Sequence, residues 1–212
     1  MKQKGILITL EGNEGCGKST QIRFLRDFLK KKGYEVFLTR EPGGTKIGDQ
    51  LRQVLLDVLN KKMSPLCETL LYMASRAQLV SEAVKPYLQK GGIVLCDRWL
   101  DATVAYQGHA GGIDTHWIET LGRVATQGVT PKLTLYLDLP VKVGLARAVK
   151  RNAIDRMEKK RTQFHEKVRQ GFLAIAKKEA RRFRRIAVQE EDSVSAVHEK
   201  ILNEIRHAGL FT

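Results

Sequence analysis

No stretch of the 212-residue sequence approaches the run of about 20 apolar residues that a membrane-spanning helix requires, so an integral membrane protein is not expected. The opening residues, 1–4, are too few and too polar to begin a signal peptide, which makes the cytoplasm the expected location. Cysteine is scarce: Cys16, Cys67 and Cys96 are an odd number, widely separated, with no pair at metal-ligand spacing. That excludes a disulfide framework and a zinc site, and the three read as reduced thiols. Repeats, low-complexity tracts and Ser/Pro-rich linkers are also lacking, so one domain over 1–212 is expected, and 42% hydrophobic residues can furnish its core. Acidic residues are in deficit, 23 against 37 Lys and Arg, for a net charge of +14. Such an excess suits a nucleic-acid surface or a polyphosphate site, and charge alone does not choose between them.

What the chain does contain is alternation. The apolar runs "GILITL", "YEVFLT", "GIVLCD", "KLTLYLDL" and "FRRIAV" have the composition of strands buried on both faces. Helical patterns separate them, over 18–32, 45–60, 65–89, a broken pair within 99–127, 141–152, 159–180 and 192–207. Strand and helix in this rhythm predict an α/β fold, a parallel sheet with helices on both faces.

Immediately after the first strand, "EGNEGCGKST" contains G-x-x-x-x-G-K-[ST], the P-loop pattern, in Gly12, Gly17, Lys18 and Ser19. Glycines let the backbone curl so that successive N–H groups face phosphate oxygens. Lys18 adds a cation for the β- and γ-phosphates, Ser19 a hydroxyl for Mg²⁺, and the following helix its positive end. Gly12, Asn13, Glu14, Gly15, Cys16, Gly17, Lys18, Ser19 and Thr20 are thus the expected triphosphate cradle. Glu14 does not suit an anion site: either it is a solvated turn residue, or it accepts a hydrogen bond from a second ligand.

Three further groups carry charge where ligands bind. "TREPGGT" places Arg40 and Glu41 at a strand's carboxyl end, where open α/β sheets form their crevice. Tyr72 and Arg76, four apart, share a helix face; they are either core packing with a snorkelling arginine or a stack and fork for a nucleotide. Asp97 and Arg98 end the third strand, as a Mg²⁺ and phosphate pair or as a simple ion pair. Arg147, Arg151 and Arg156 follow the fourth strand, either as a solvated face or as a basic lid over about 147–158.

Taken together, "EGNEGCGKST", "TREPGGT", "LLYMASRAQLV", "CDRW", "VAYQG", "PKLTLYLDL" and "DRME" resemble, in order and over nearly the whole chain, the thymidylate kinase family of the bacterial type. The resemblance implies a five-stranded parallel sheet of the P-loop nucleoside monophosphate kinase fold, a homodimer, and transfer of the γ-phosphoryl of ATP to dTMP with Mg²⁺. It implies catalytic roles for Lys18, Arg98, Arg147, Arg151 and Arg156, and a metal site at Ser19 and Asp97. It assigns dTMP to Glu14, Glu41, Tyr72, Arg76, Arg98, Thr103, Tyr106 and Glu158: Glu14 to the sugar 3′-hydroxyl, Tyr72 to the base, and the Tyr106 ring to exclusion of a 2′-hydroxyl. Gly15 stands where some relatives carry a loop arginine, so the transition-state cation is expected from the lid. The chain departs from the bacterial pattern at Trp99, Lys132 and Val149. The resemblance leaves no role for nucleic acid or membrane; the alternative, a nucleic-acid-stimulated P-loop ATPase, rests on charge alone.

Overall fold

The computed structural model describes residues 5–150 and 155–211. Five strands, β1 (Ile6–Glu11), β2 (Val36–Arg40), β3 (Ile93–Asp97), β4 (Leu133–Asp138) and β5 (Phe183–Ala187), form one sheet in the order β2-β3-β1-β4-β5. Every pairing is parallel, as the alternation predicts. The described helices are α1 (Lys18–Lys31), α2 (Lys46–Leu56), α3 (Pro65–Leu79), α4 (Lys85–Gln89), α5 (Leu100–Thr103), α6 (Thr115–Ala125), α7 (Val141–Val149), α8 (Thr162–Lys178) and α9 (Val194–His207).

Side-chain alternation along the strands explains the layers. Ile8 and Leu10 of β1 and Leu135 and Leu137 of β4 pack with Leu25 and Leu29 of α1 and Ile201 and Ile205 of α9. Their neighbours point the other way: Leu7, Val94 and Cys96 meet Leu79 and Val84, while Tyr136 and Phe183 meet Phe172 and Ile175 of α8. Each buried side chain of this size contributes about 1.5–3 kcal/mol before entropy is counted, so both faces are anchored.

The helix expected over 65–89 is one run but not one α-helix: Val80–Val84 is π-helical between α3 and α4. Pro86 is the cause we assign. It has no N–H to return to the carbonyl four residues earlier and its ring crowds that carbonyl, and a widened turn relieves both. The broken pair within 99–127 likewise resolves into α5, a π-helical segment Val104–Ala110, and α6. The pattern over 45–60 ends earlier, at Leu56, with Asp57 in extended conformation as its cap. The pattern over 141–152 is helical to Val149, and its end, with Arg151, lies outside the described residues.

Candidate active site

Between β1 and α1 the chain makes a turn that only glycine permits. Gly15 has φ +67°, and a Cβ there would lie 2.0 Å from the carbonyl oxygen of Gly144 in α7. A Cβ on Gly144 would in turn lie 2.3 Å from the Glu14 carbonyl. Two glycines therefore seat α7 against the loop, and an arginine has no room at position 15. Gly17, left-handed at φ 92°, opens α1 without any side-chain cap, and no acidic residue occupies the first turn. The uncapped N–H groups and the helix dipole remain for an anion.

Lys18 is buried, and its ammonium donates to the carbonyls of Gly12 and Asn13, both at 2.9 Å, with Cys16 Sγ at 3.6 Å. It thereby neutralises two carbonyl dipoles beside the phosphate position. Asn13 is structural, its amide donating to the His165 carbonyl at 2.9 Å. Gly15, Cys16, Gly17, Lys18, Ser19 and Thr20 line a cleft of about 560 Å³, within the usual range for small-molecule sites. Gly12 and Asn13 contribute carbonyls to Lys18 and do not line the cleft. Ser19 Oγ donates to Asp97 Oδ2 at 2.9 Å, which joins the loop to the end of β3.

Beside the loop, Arg98 directly follows β3 with φ +73°, a left-handed conformation costly for a non-glycine residue. Its guanidinium donates to the Gly12 carbonyl (3.1 Å), to Glu14 Oε1 (2.8 Å) and to Tyr106 Oη (3.1 Å), and stacks 4.9 Å from the Tyr106 ring centre. Tyr106 also donates to Glu14 Oε1 at 2.8 Å. Glu14 is therefore no solvated turn residue. Burial alone would raise its pKa, but Arg98, with Lys18 and the Tyr106 hydroxyl behind it, holds the carboxyl at about 2, below its ordinary 4.5.

A carboxyl depressed on folding contributes stability that is complete above its unfolded pKa and is lost as pH falls toward the folded one. Glu14 should accordingly contribute fully to stability above about pH 5 and lose that contribution as pH falls below it; thermal unfolding in which Glu14→Gln loses stability in parallel with the parent between about pH 5 and 3 would contradict the assignment.

The α3 stripe is neither simply core nor simply surface. Arg76 is fully buried, donating from Nε to Glu41 at 2.8 Å and from Nη2 to Thr103 Oγ1 at 3.0 Å. "TREPGGT" thus supplies a buried carboxylate for Arg76, and its last residue, Thr45, caps α2 by accepting from Gly48 N at 3.0 Å. Tyr72 lines the cleft one turn earlier, and burial pushes its phenol well above the ordinary value, so the ring is neutral.

Arg147 lines the cleft and donates to the Glu190 carbonyl at 2.8 Å. Arg156 differs from its expected placement in the cleft: it is buried, ion-paired with Glu68 at 2.6 Å, and donates from Nε to the Leu55 carbonyl at 2.8 Å. It fastens the chain at Arg156 to α2 and α3. The other oxygen of Glu68 accepts from Gln107 Nε2 at 2.7 Å, and Gln107 lines the cleft. Glu68, Gln107 and Arg52, another cleft residue, were not expected from sequence. Glu68 had a signal, lying four residues before Tyr72 and eight before Arg76 on one helix stripe. Glu158 lines the cleft, with its carboxylate accepting from Asp155 N at 3.2 Å. Trp99 is 1% exposed and packs with Leu7, Val94 and Cys96, while Val149 is exposed and outside the cleft.

Comparison with known proteins gives one answer. A family model described as thymidylate kinase matches residues 10–201. A thymidylate kinase of Geotalea daltonii is 53% identical over 186 residues, covering 84% of this chain and 87% of that protein. One from Thermoanaerobacter sp. is 42% identical over 203 residues, covering 96% and 98%. The crystal structure of thymidylate kinase from Ehrlichia chaffeensis superposes with a TM-score of 0.77 at 31% identity, over 95% of this chain and 98% of that one. With a P-loop whose Glu14 is joined to Arg98 and Tyr106 in one cleft, and this likeness over most of its length, the chain belongs to the thymidylate kinase family.

Proposed function

We propose that the chain transfers the γ-phosphoryl of ATP to dTMP, giving dTDP and ADP. The observation that carries this reading is the second anion site: Arg98, held by Glu14 and Tyr106, stands beside a P-loop that already provides for one phosphate chain. An ATPase without an acceptor has no use for it. The loop amides and Lys18 hold the donor. Arg98 draws in the acceptor phosphate, Glu14 takes the sugar 3′-hydroxyl, and Tyr72 stacks on the base beside Arg76, Thr103 and Glu41. Gln107 gives one amide N–H to Glu68, which holds its side chain in place at the cleft wall.

Tyr106 is wedged edge-on between Phe164 and Phe172, with ring centres 6.2 Å away in each case, and its hydroxyl is engaged. It has little freedom to move aside for a 2′-hydroxyl, which favours deoxyribose. Arg147 and Arg151, the latter outside the described residues, supply lid cations. Arg156 acts by holding the lid's base.

Among the described residues no three His, Cys, Asp or Glu side chains form a metal cage. The donor set that is present, one hydroxyl and one carboxylate joined at 2.9 Å, fits Mg²⁺, which takes its remaining coordination from water and phosphates. Ser19 and Asp97 would hold it, and it would supply positive charge to offset that of the phosphates. The chain's own contribution is alignment and charge neutralisation, with no enzyme nucleophile.

An ADP-release assay with Mg-ATP against a panel of nucleoside monophosphates tests the reading. dTMP should be the preferred acceptor; acceptor-independent hydrolysis stimulated by DNA would overturn it. We assign the protein to the cytoplasm, in keeping with the absence, among the described residues, of a helix long and apolar enough to cross a membrane. We also propose a homodimer through α2, α3 and α6, which pack side by side and expose Ile47, Val54, Leu66, Leu70, Trp117 and Val124. Light scattering should give twice the chain mass for the parent and half that value for a Leu66→Glu, Leu70→Glu variant; a monomeric parent would contradict this.

A further inference from the structure

The last residue of β1, Glu11, is a fully buried carboxyl that neither nucleotide site uses. Its Oε1 accepts the Trp99 N–H at 2.7 Å, and its Oε2 has no partner among the described residues. The preceding N–H, that of Arg98, is taken by the Leu10 carbonyl at 3.0 Å. The two final residues of β1 therefore grip the peptide groups on either side of Arg98, the residue whose φ of +73° is unfavourable for its type. Without that grip the backbone would relax toward negative φ, and the guanidinium would leave Gly12, Glu14 and Tyr106.

We infer that Glu11 is a positioning residue: by holding the Trp99 N–H it locks the left-handed turn at Arg98 and so aims that guanidinium at the acceptor phosphate. Although Glu11 adjoins the P-loop in sequence, its effect falls on the acceptor side. Burial pushes its carboxyl well above the ordinary value, Asp101 adds to this, and Arg98, the Trp99 N–H and Lys18 oppose it. Asp101 is itself engaged by Arg182 through two bonds of 2.8 Å. The grip needs only the oxygen that accepts the Trp99 N–H, and a glutamine amide carries one at the same reach.

The inference rests on the reading of Arg98 as the acceptor-phosphate residue. Its test is steady-state kinetics, with each substrate varied in turn, on Glu11→Gln, Glu11→Met and Glu11→Asp, where aspartate draws the carboxyl back by one methylene. Glu11→Gln should stay within about 3-fold of the parent. Glu11→Met should raise KM for dTMP by about 10-fold or more with KM for ATP within about 2-fold, and Glu11→Asp should show the same bias should the methionine variant not fold. Adding Glu11→Met, or Glu11→Asp in its place, to Arg98→Met should cost nothing further. Equal effects on both substrates, unaltered KM for dTMP in the methionine and aspartate variants, a glutamine variant as impaired as these, or full additivity with Arg98→Met would overturn it. If Arg98→Met alone leaves dTMP kinetics unchanged, it is the acceptor-site reading that fails.

Discussion

Replacement of Arg98 by methionine is expected to lower kcat/KM for dTMP by about 10³-fold, while KM for ATP changes by no more than about 3-fold. Two losses combine. The acceptor phosphate loses a charged fork, for which each hydrogen bond is worth about 1.5–3 kcal/mol. Glu14, with 14% of its side chain exposed, also loses the cation that holds it ionised, and stranding a largely buried charge typically costs about 3–5 kcal/mol. Part of the second cost appears as lowered stability, so the catalytic share is set at about 4 kcal/mol, which corresponds to the 10³-fold stated. Arg98→Lys should recover little, because an ammonium cannot reach Gly12, Glu14 and Tyr106 together in the geometry of a planar fork. Initial rates with dTMP varied at saturating Mg-ATP, beside thermal unfolding, separate the two parts; equal losses toward both substrates would count against the division of the cleft.

Lys18→Met should produce the opposite signature. The ammonium neutralises the Gly12 and Asn13 carbonyls, and in the proposed reaction it would also offset charge on the transferring phosphoryl group. Its removal takes away a cation and also turns two carbonyl dipoles toward an anion. We expect kcat to fall by about 10²–10³-fold, in the range found for deleting one preorganised transition-state donor, with dTMP binding measured calorimetrically within about 3-fold of the parent. A variant that lost dTMP affinity and kept its turnover would contradict the placement of the donor on the loop.

The parts of this site that were legible in the sequence are those whose chemistry is local. A phosphate cradle needs glycines, a lysine and a hydroxyl within a few residues, so Gly12 to Thr20 declare it. Strand-end position marks Asp97 and Arg98, and helical spacing marks Tyr72 and Arg76, but position and spacing leave a plain ion pair and core packing open, and only the resemblance to the family chooses between the readings. The parallel sheet is legible for the same reason, because strands buried on both faces need continuous apolar runs. Arg156 was not legible: its partner Glu68 lies far away in the chain, and nothing near Arg156 announces that the guanidinium is spent on α3. The left-handed Arg98 and its restraint by Glu11 depend on the register between β1 and β3, which residue types do not encode. The π-helical segments escape periodicity because one extra residue per turn shifts the stripe without changing composition. Pro86 was present as a signal, yet the apolar periodicity on both sides masks the interruption.

The central claim is that dTMP lies with its phosphate on Arg98, its 3′-hydroxyl on Glu14 and its base over Tyr72, facing the P-loop. A crystal structure of the protein soaked with dTMP tests it most directly. The account predicts phosphate oxygens about 2.7–2.9 Å from the Arg98 guanidinium and a base ring stacked on Tyr72. Finding dTMP on the P-loop amides and Lys18, with Arg98 still closed on Glu14 and no ligand beside Tyr72, would contradict it.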